Sequence, residues 1–215
     1  MKRTFFSLAL LLAVATLTAQ TKMTAREAAV KIADRILAST TYEFKNTKTG
    51  ETYKSVKKLP LDMDVKVACK YNNWHYTNGV TNMALMELGD KLGDKKYEKY
   101  VLKNMNFVFN EGNLDFFRKQ YDEAFKRDGW NAVRKLSWHM IFRGKRLDDN
   151  GPMGASLIEL QLKYPNDSFL GYINETAEHL NYGEPRLVDG TIARIWPHVN
   201  TIWADDAFMA ISFLA

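Results

Sequence analysis

A chain of 215 residues, 46% hydrophobic and 26% charged, is long enough to bury one real core and too short for several large domains. Its single cysteine, Cys69, excludes an intrachain disulfide framework. With 30 Lys+Arg against 25 Asp+Glu, the net charge of +5 fits an ordinary solvated surface or one tolerant of an acidic polymer; no basic segment interleaves with aromatic residues as a nucleic-acid binder requires.

Lys2 and Arg3 precede an apolar run from Phe5 to Val14, and Leu17-Thr18-Ala19 offers a cleavage point before Gln20. This is the pattern of an export signal over 1–19, too short to span a bilayer. It places the mature chain in the periplasm or outside the cell, with no membrane association once the signal is removed. Its loss takes away two cations and no acid, which brings the net charge from +5 to about +3. Residues 20–215 read as one domain without a linker.

Thr24-Ala25-Arg26-Glu27 forms a capping box that opens a helix to about Ser39, with Ala28, Ile32, Ile36 and Leu37 on one face. Residues 42–62 are polar and rich in Thr and Lys, as an irregular segment or a short hairpin would be. Val80, Met83, Ala84 and Leu88 restore helical spacing until Gly89 and Gly93, and Tyr97, Tyr100, Val101, Met105 and Val108 make the next stripe. Further helices are predicted near 114–126, 130–142, 152–163, 168–181 and 203–215. Arg186-Leu187-Val188 and Thr191-Ile192-Ala193-Arg194 flank Asp189-Gly190, a tight hairpin signal. Helices joined by short loops predict an all-α stack of helical hairpins. The last helix, apolar on almost every side after Asp206, reads as buried.

No Gly-x-Ser-x-Gly elbow or phosphate-binding glycine loop is present. His75, His139, His179 and His198 are scattered without a ligand spacing, which makes a metal site the minor reading. Two acidic doublets stand out. Asp148-Asp149 lies in a predicted turn ahead of Gly151-Pro152-Met153-Gly154-Ala155, and Asp205-Asp206 follows Trp203-Ala204. Paired carboxylates suit glycoside chemistry, in which one group donates a proton and another activates water or steadies charge. The competing reading is helix capping, because acids in a first turn are stabilised by the backbone dipole. That dipole also lowers an Asp pKa, so a general acid here needs burial or a neighbouring carboxylate to hold its proton.

Trp74-His75-Tyr76-Thr77-Asn78-Gly79-Val80, Leu147 to Ala155, Asp189 to Arg194, and Trp203 to Ala210 with Phe213-Leu214-Ala215 resemble, in order, the motifs of glycoside hydrolase family 105. These are the unsaturated rhamnogalacturonyl hydrolases, related to the unsaturated glucuronyl hydrolases of family 88. The resemblance covers roughly 71–215. It implies an (α/α)6 toroid of helical hairpins with a sugar cleft at one end, and removal of a 4,5-unsaturated uronic acid from the non-reducing end of lyase-generated oligosaccharides. The reaction it implies is hydration of a vinyl ether: an Asp protonates C4, water adds at C5, and the hemiketal opens, with no metal or organic cofactor.

Carried over by motif, the catalytic acid falls on Asp205 and its partner on Asp149, with Asp148 as the second choice for that role and Asp206 left to packing or capping. Tyr76 and Trp203 are implied as cleft walls, and Arg194, where some relatives have His, as a partner for the substrate carboxylate. Relatives of the family are longer, so the chain is expected to hold about half of the toroid and to expose apolar faces. The segment 110–135, with Phe116, Phe117, Tyr121 and Trp130, departs from simple hairpin spacing. A different class of reading keeps the acids as caps and makes the chain a non-catalytic helical carbohydrate-binding protein or pseudoenzyme.

Overall fold

The computed structural model describes residues 23–109, 112–143 and 147–215; the export signal expected over 1–19 lies outside them. The described residues up to Arg35 and those from Ile36 to Ala215 form two compact units. Helix α1 spans Ala25–Ser39. Its start is the expected capping box, in which Thr24 Oγ1 accepts from the Glu27 amide at 3.2 Å while Glu27 Oε2 accepts from the Thr24 amide at 2.8 Å.

The second unit opens on a small antiparallel sheet of β1 (Phe44–Asn46), β2 (Thr52–Tyr53) and β3 (Val65–Val67), in the order β2-β1-β3. Phe44 pairs with Tyr53 on one side and Val67 on the other. The strand period of two turns Phe44, Val65 and Val67 inward and Lys45 outward. The hairpin between β1 and β2 is one of the two alternatives left open by the sequence. β3 is an addition to it.

Helices follow in succession: α2 (Tyr76–Leu92), α3 (Lys96–Phe109), α4 (Asn113–Val133), the short α5 (Met140–Arg143), α6 (Leu147–Lys163), α7 (Asp167–Glu178) and α8 (Ala204–Leu214). The stripe Tyr97, Tyr100, Val101, Met105 and Val108 is the buried face of α3, as its spacing predicts. The break expected between the helices at 114–126 and 130–142 falls at Asp128 and Gly129, and the second helix is shorter than expected, ending at Val133 with α5 after it. Gly129, at φ 53°, takes a backbone conformation that favours glycine. The fold class is all-α with a minor sheet.

Helix α6 is the centre, packed against α2, α7 and α8. Its Met153, Leu157 and Leu160 are at most 1% exposed, and burying each contributes roughly 1.5–3 kcal/mol. Small residues set the spacing. A Cβ on Gly79 of α2 would lie 2.5 Å from the Met153 amide, one on Gly151 would collide with the Met209 carbonyl of α8, and one on Gly154 would lie 2.6 Å from the Phe213 ring. The Gly151-Pro152-Met153-Gly154 motif is therefore a contact surface for two helices.

That surface corrects one boundary. Gly151-Pro152 reads as a breaker, yet α6 begins at Leu147 and carries Pro152 inside it. The missing proline N–H leaves the Asp148 carbonyl without its usual i+4 donor, a cost that the packing on both flanks offsets. The expected hairpin at 186–194 has its turn, with Gly190 at φ 86° and the Thr191 amide donating to Asp189 Oδ1 at 3.0 Å, but forms only the isolated Arg186–Ile192 bridge. The last helix is also less buried than its composition predicts. Met209, Ala210 and Phe213 are covered, whereas Phe208, Ile211 and Leu214 are 52%, 61% and 59% exposed, because α8 packs chiefly on α6 and leaves its other side open.

Candidate active site

The two acidic doublets meet because α6 and α8 pack together with their N-terminal turns in register. Asp148 lies in the first turn of α6, Asp205 and Asp206 in the first turn of α8, and one oxygen from each falls within 4.8 Å of the others. Three carboxylates so close repel one another strongly unless a cation or a proton intervenes. Arg194 is that cation. Its Nε donates to Asp206 Oδ2 at 2.5 Å, and its Nη2 donates to Asp206 Oδ1 at 2.5 Å and to Asp148 Oδ1 at 2.9 Å. The guanidinium also lies 4.1 Å from the centroid of the Trp203 ring, which covers its face.

Each partner leaves its mark on the titration of the group. The hydrogen bonds to Asp206 are the largest of the influences that raise the Arg194 pKa still further above its usual range. Burial pushes the Asp148 carboxyl up, Arg194 pulls it back, and the charges of Asp206 and Asp205 push it up again. Asp206 is 8% exposed and has both oxygens engaged, while Asp205 is exposed and has no hydrogen bond to another side chain among the described residues.

Asp148, Asp206 and Arg194 line a cavity of about 370 Å³, within the range of small-ligand sites. The lining also brings in His179, Glu184 and Trp196, none of which the motif reading assigned. His179 opens the π-helical turn His179–Gly183 after α7, and its Nε2 lies 2.9 Å from Glu184 Oε1. Burial raises the Glu184 pKa, and the hydrogen bond to His179 opposes that shift. The wide π turn sets a five-residue separation that no helical template anticipates.

Of the residues singled out from the sequence, the structure joins Asp148, Arg194, Trp203 and Asp205 in one cluster and adds Asp206 as the buried anchor. Tyr76 does not line the cavity; it opens α2 beside His75, ring centroids 4.5 Å apart, and is 37% exposed. Asp149 has its backbone in the first turn of α6, and its side chain lies outside the described residues.

A family model described as Glycosyl Hydrolase Family 88 matches residues 54–215, a span that contains every group named above. The chain belongs to Glycosyl Hydrolase Family 88. No curated protein matches it. As a family 88 member it is a glycoside hydrolase of the class that acts on unsaturated uronic acid sugars. Acids from two helix starts around a sugar-sized cavity are the groups such a reaction needs.

Proposed function

We propose that the chain carries the site of an unsaturated rhamnogalacturonyl hydrolase, the family 105 type, which removes a 4,5-unsaturated galacturonyl or glucuronyl unit from lyase-generated pectic oligosaccharides outside the cytoplasm. The observation that carries this reading is the Arg194 clamp: it occupies Asp206 and Asp148, and leaves Asp205, of the described acids, free of a side-chain partner at the edge of the cluster.

In this reading burial biases Asp148 toward the neutral form, and Asp205 is the acid that delivers the proton. Asp205 gives the proton to C4 of the vinyl ether, and positive charge develops on C5 and the ring oxygen. Water bonds to C5 and returns its proton to a carboxylate of the cluster, with Asp149 the partner that the motif assigns. The hemiketal opens to a C5 ketone, and the hemiacetal left at C1 expels the remaining sugar. Proton delivery by a positioned acid contributes about 10²–10⁴-fold in such a step. Trp203 holds the guanidinium plane, and Arg194 offers its charge to the uronate carboxylate as the sugar enters.

The test is the ultraviolet absorbance of the conjugated double bond on lyase-generated unsaturated galacturonyl-rhamnose. The proposal expects the absorbance to decay with release of free rhamnose, and the saturated disaccharide to remain uncleaved. Cleavage of both at equal rates would assign the site to ordinary glycoside hydrolysis.

A further inference from the structure

Residues 112–135 supply a surface that the carboxylate cluster does not use. Phe116 and Phe117 belong to the interior, packed on Phe44 with centroids 6.0 and 5.9 Å away. Further along α4, Tyr121 packs in part against the cluster of Ala124, Ala132, Val133 and Leu136, and Phe125 and Trp130 turn outward. Tyr121 and Phe125, one helical turn apart, are nearly parallel, with centroids 6.2 Å apart and planes at 6°, and the Phe142 ring meets Tyr121 edge-on at 5.7 Å. Arg118 lies 4.6 Å over Phe142, and Arg143 lies 4.8 Å over Trp130. Phe125 and Trp130 remain 55% and 40% exposed.

A chain of contacts runs from this band to the start of α2. Trp130 meets the His139 ring at 5.6 Å, and the neighbouring Trp138 donates its amide to Asn73 Oδ1 at 2.6 Å and packs on Trp74, the residue before His75, with centroids 6.3 Å apart. His75 stacks on Tyr76 at the start of α2, and Gly79, one turn further on, touches the Pro152-Met153 backbone of α6, one turn beyond Asp148. The aromatic band therefore leads to the same end of the helices as the carboxylates. Sugar rings present apolar C–H faces that stack on exposed aromatic rings, and uronates add one carboxylate per residue. Two guanidinium groups among aromatic faces match that spaced charge. Asp122, Glu123 and Asp128 on the same helix thin the field that a phosphate-dense polymer would need.

We propose that the patch formed by Tyr121, Phe125 and Trp130 on the two sides of the Asp128–Gly129 break, together with Arg143, binds the reducing-end portion of a uronate-bearing oligosaccharide whose unsaturated end lies in the carboxylate site. The inference rests on the proposed function for that orientation, and on the band itself for the recognition of acidic sugar.

Calorimetric titration of the full chain with saturated tetragalacturonate, which carries no double bond to be hydrated, reads the platform independently of turnover. Trp130→Ala should weaken binding about tenfold, as loss of an exposed aromatic anchor does, and Trp130→Phe should retain most of it. Arg143→Gln should weaken binding and flatten its dependence on salt, and the neutral cellotetraose should bind at least about tenfold less tightly than tetragalacturonate at low salt. Tetragalacturonate binding that is equal in wild type and Trp130→Ala would overturn the proposal. So would equal affinity for cellotetraose, or a Trp130→Ala protein that loses self-association and keeps its sugar affinity. Failure of the wild type to consume unsaturated disaccharides would remove the proposed reaction and leave this binding result standing on its own.

Discussion

Arg194 is the residue on which the cluster's electrostatics turn. Its side chain is 17% exposed and satisfies two carboxylates from two helices, so removing it leaves two partly buried acids facing each other beside a third. Arg194→Ala should therefore lower unfolding stability by about 3 kcal/mol, measured by urea denaturation at neutral pH, and abolish turnover in parallel. Arg194→Lys keeps the charge but not the fork that reaches both acids, and should recover only part of either loss. Glu98 shows the opposite linkage to the buried Asp148. Hydrogen bonds from Lys163, at 2.6 Å, and from the Tyr164 hydroxyl hold its carboxyl below the usual 4.5. A depressed carboxylate contributes stability that is present above its unfolded pKa and is lost as pH falls through its folded value. Thermal melts of the wild type should thus fall more steeply below about pH 4.5 than those of Glu98→Gln. Equal slopes would show that this pair does not couple to folding. Asp148, raised by burial, has the reverse sign: its ionised form is disfavoured by the fold, so what it contributes is present at low pH and is lost as pH rises through its raised value.

At the scale of elements, the seam between α6 and α8 is set by glycine. Gly151→Ala would drive a methyl group into the Met209 backbone, which cannot rotate away as a side chain could. The substitution should destabilise the chain by about 1–3 kcal/mol in denaturant melts and lower turnover as well, since the same displacement would separate Asp148 from Asp206. Ala substitution at Gly171, where a Cβ meets nothing, is the control and should be neutral or slightly stabilising. This seam also shows what was legible in the sequence. The Thr24–Glu27 box and the α3 stripe are local, with partners three or four residues apart, and both stand as read. The start of α6 was hidden because Gly151-Pro152 breaks helices on local grounds, and tertiary packing overrides that preference. Strand β3 was hidden because its pairing with β1 joins Phe44 to Val67 across an irregular stretch. Arg194 could be matched to a motif, but its bridge to Asp148, 46 residues away, follows only from the packing of α6 on α8.

For the molecule as a whole, the balance between covered and open apolar surface governs behaviour in solution. Phe208, Ile211 and Leu214 of α8 are exposed, as are Ile195, Trp196 and Val199 in the segment before it. Exposed apolar surface on this scale favours association, so light scattering coupled to size exclusion should show a concentration-dependent mass above the 24.7 kDa of the chain. Phe208→Glu with Ile211→Lys should shift it toward monomer without loss of helical circular dichroism. A monomer at every concentration would show that these side chains do not associate.

In the proposed reaction the doublet divides its labour: Asp206 holds Arg194 and the fold, and Asp205 moves the proton. The measurement that tests it most directly is a paired comparison of Asp205→Asn and Asp206→Asn, reading the decay of double-bond absorbance and the melting temperature on the same preparations. The account predicts that Asp205→Asn slows hydration by about 10²–10⁴-fold with little change in melting temperature. It predicts that Asp206→Asn lowers the melting temperature by several degrees, because the Arg194 pair is broken. Equal losses of rate and of stability from both substitutions would contradict it and mark the doublet as a structural helix start.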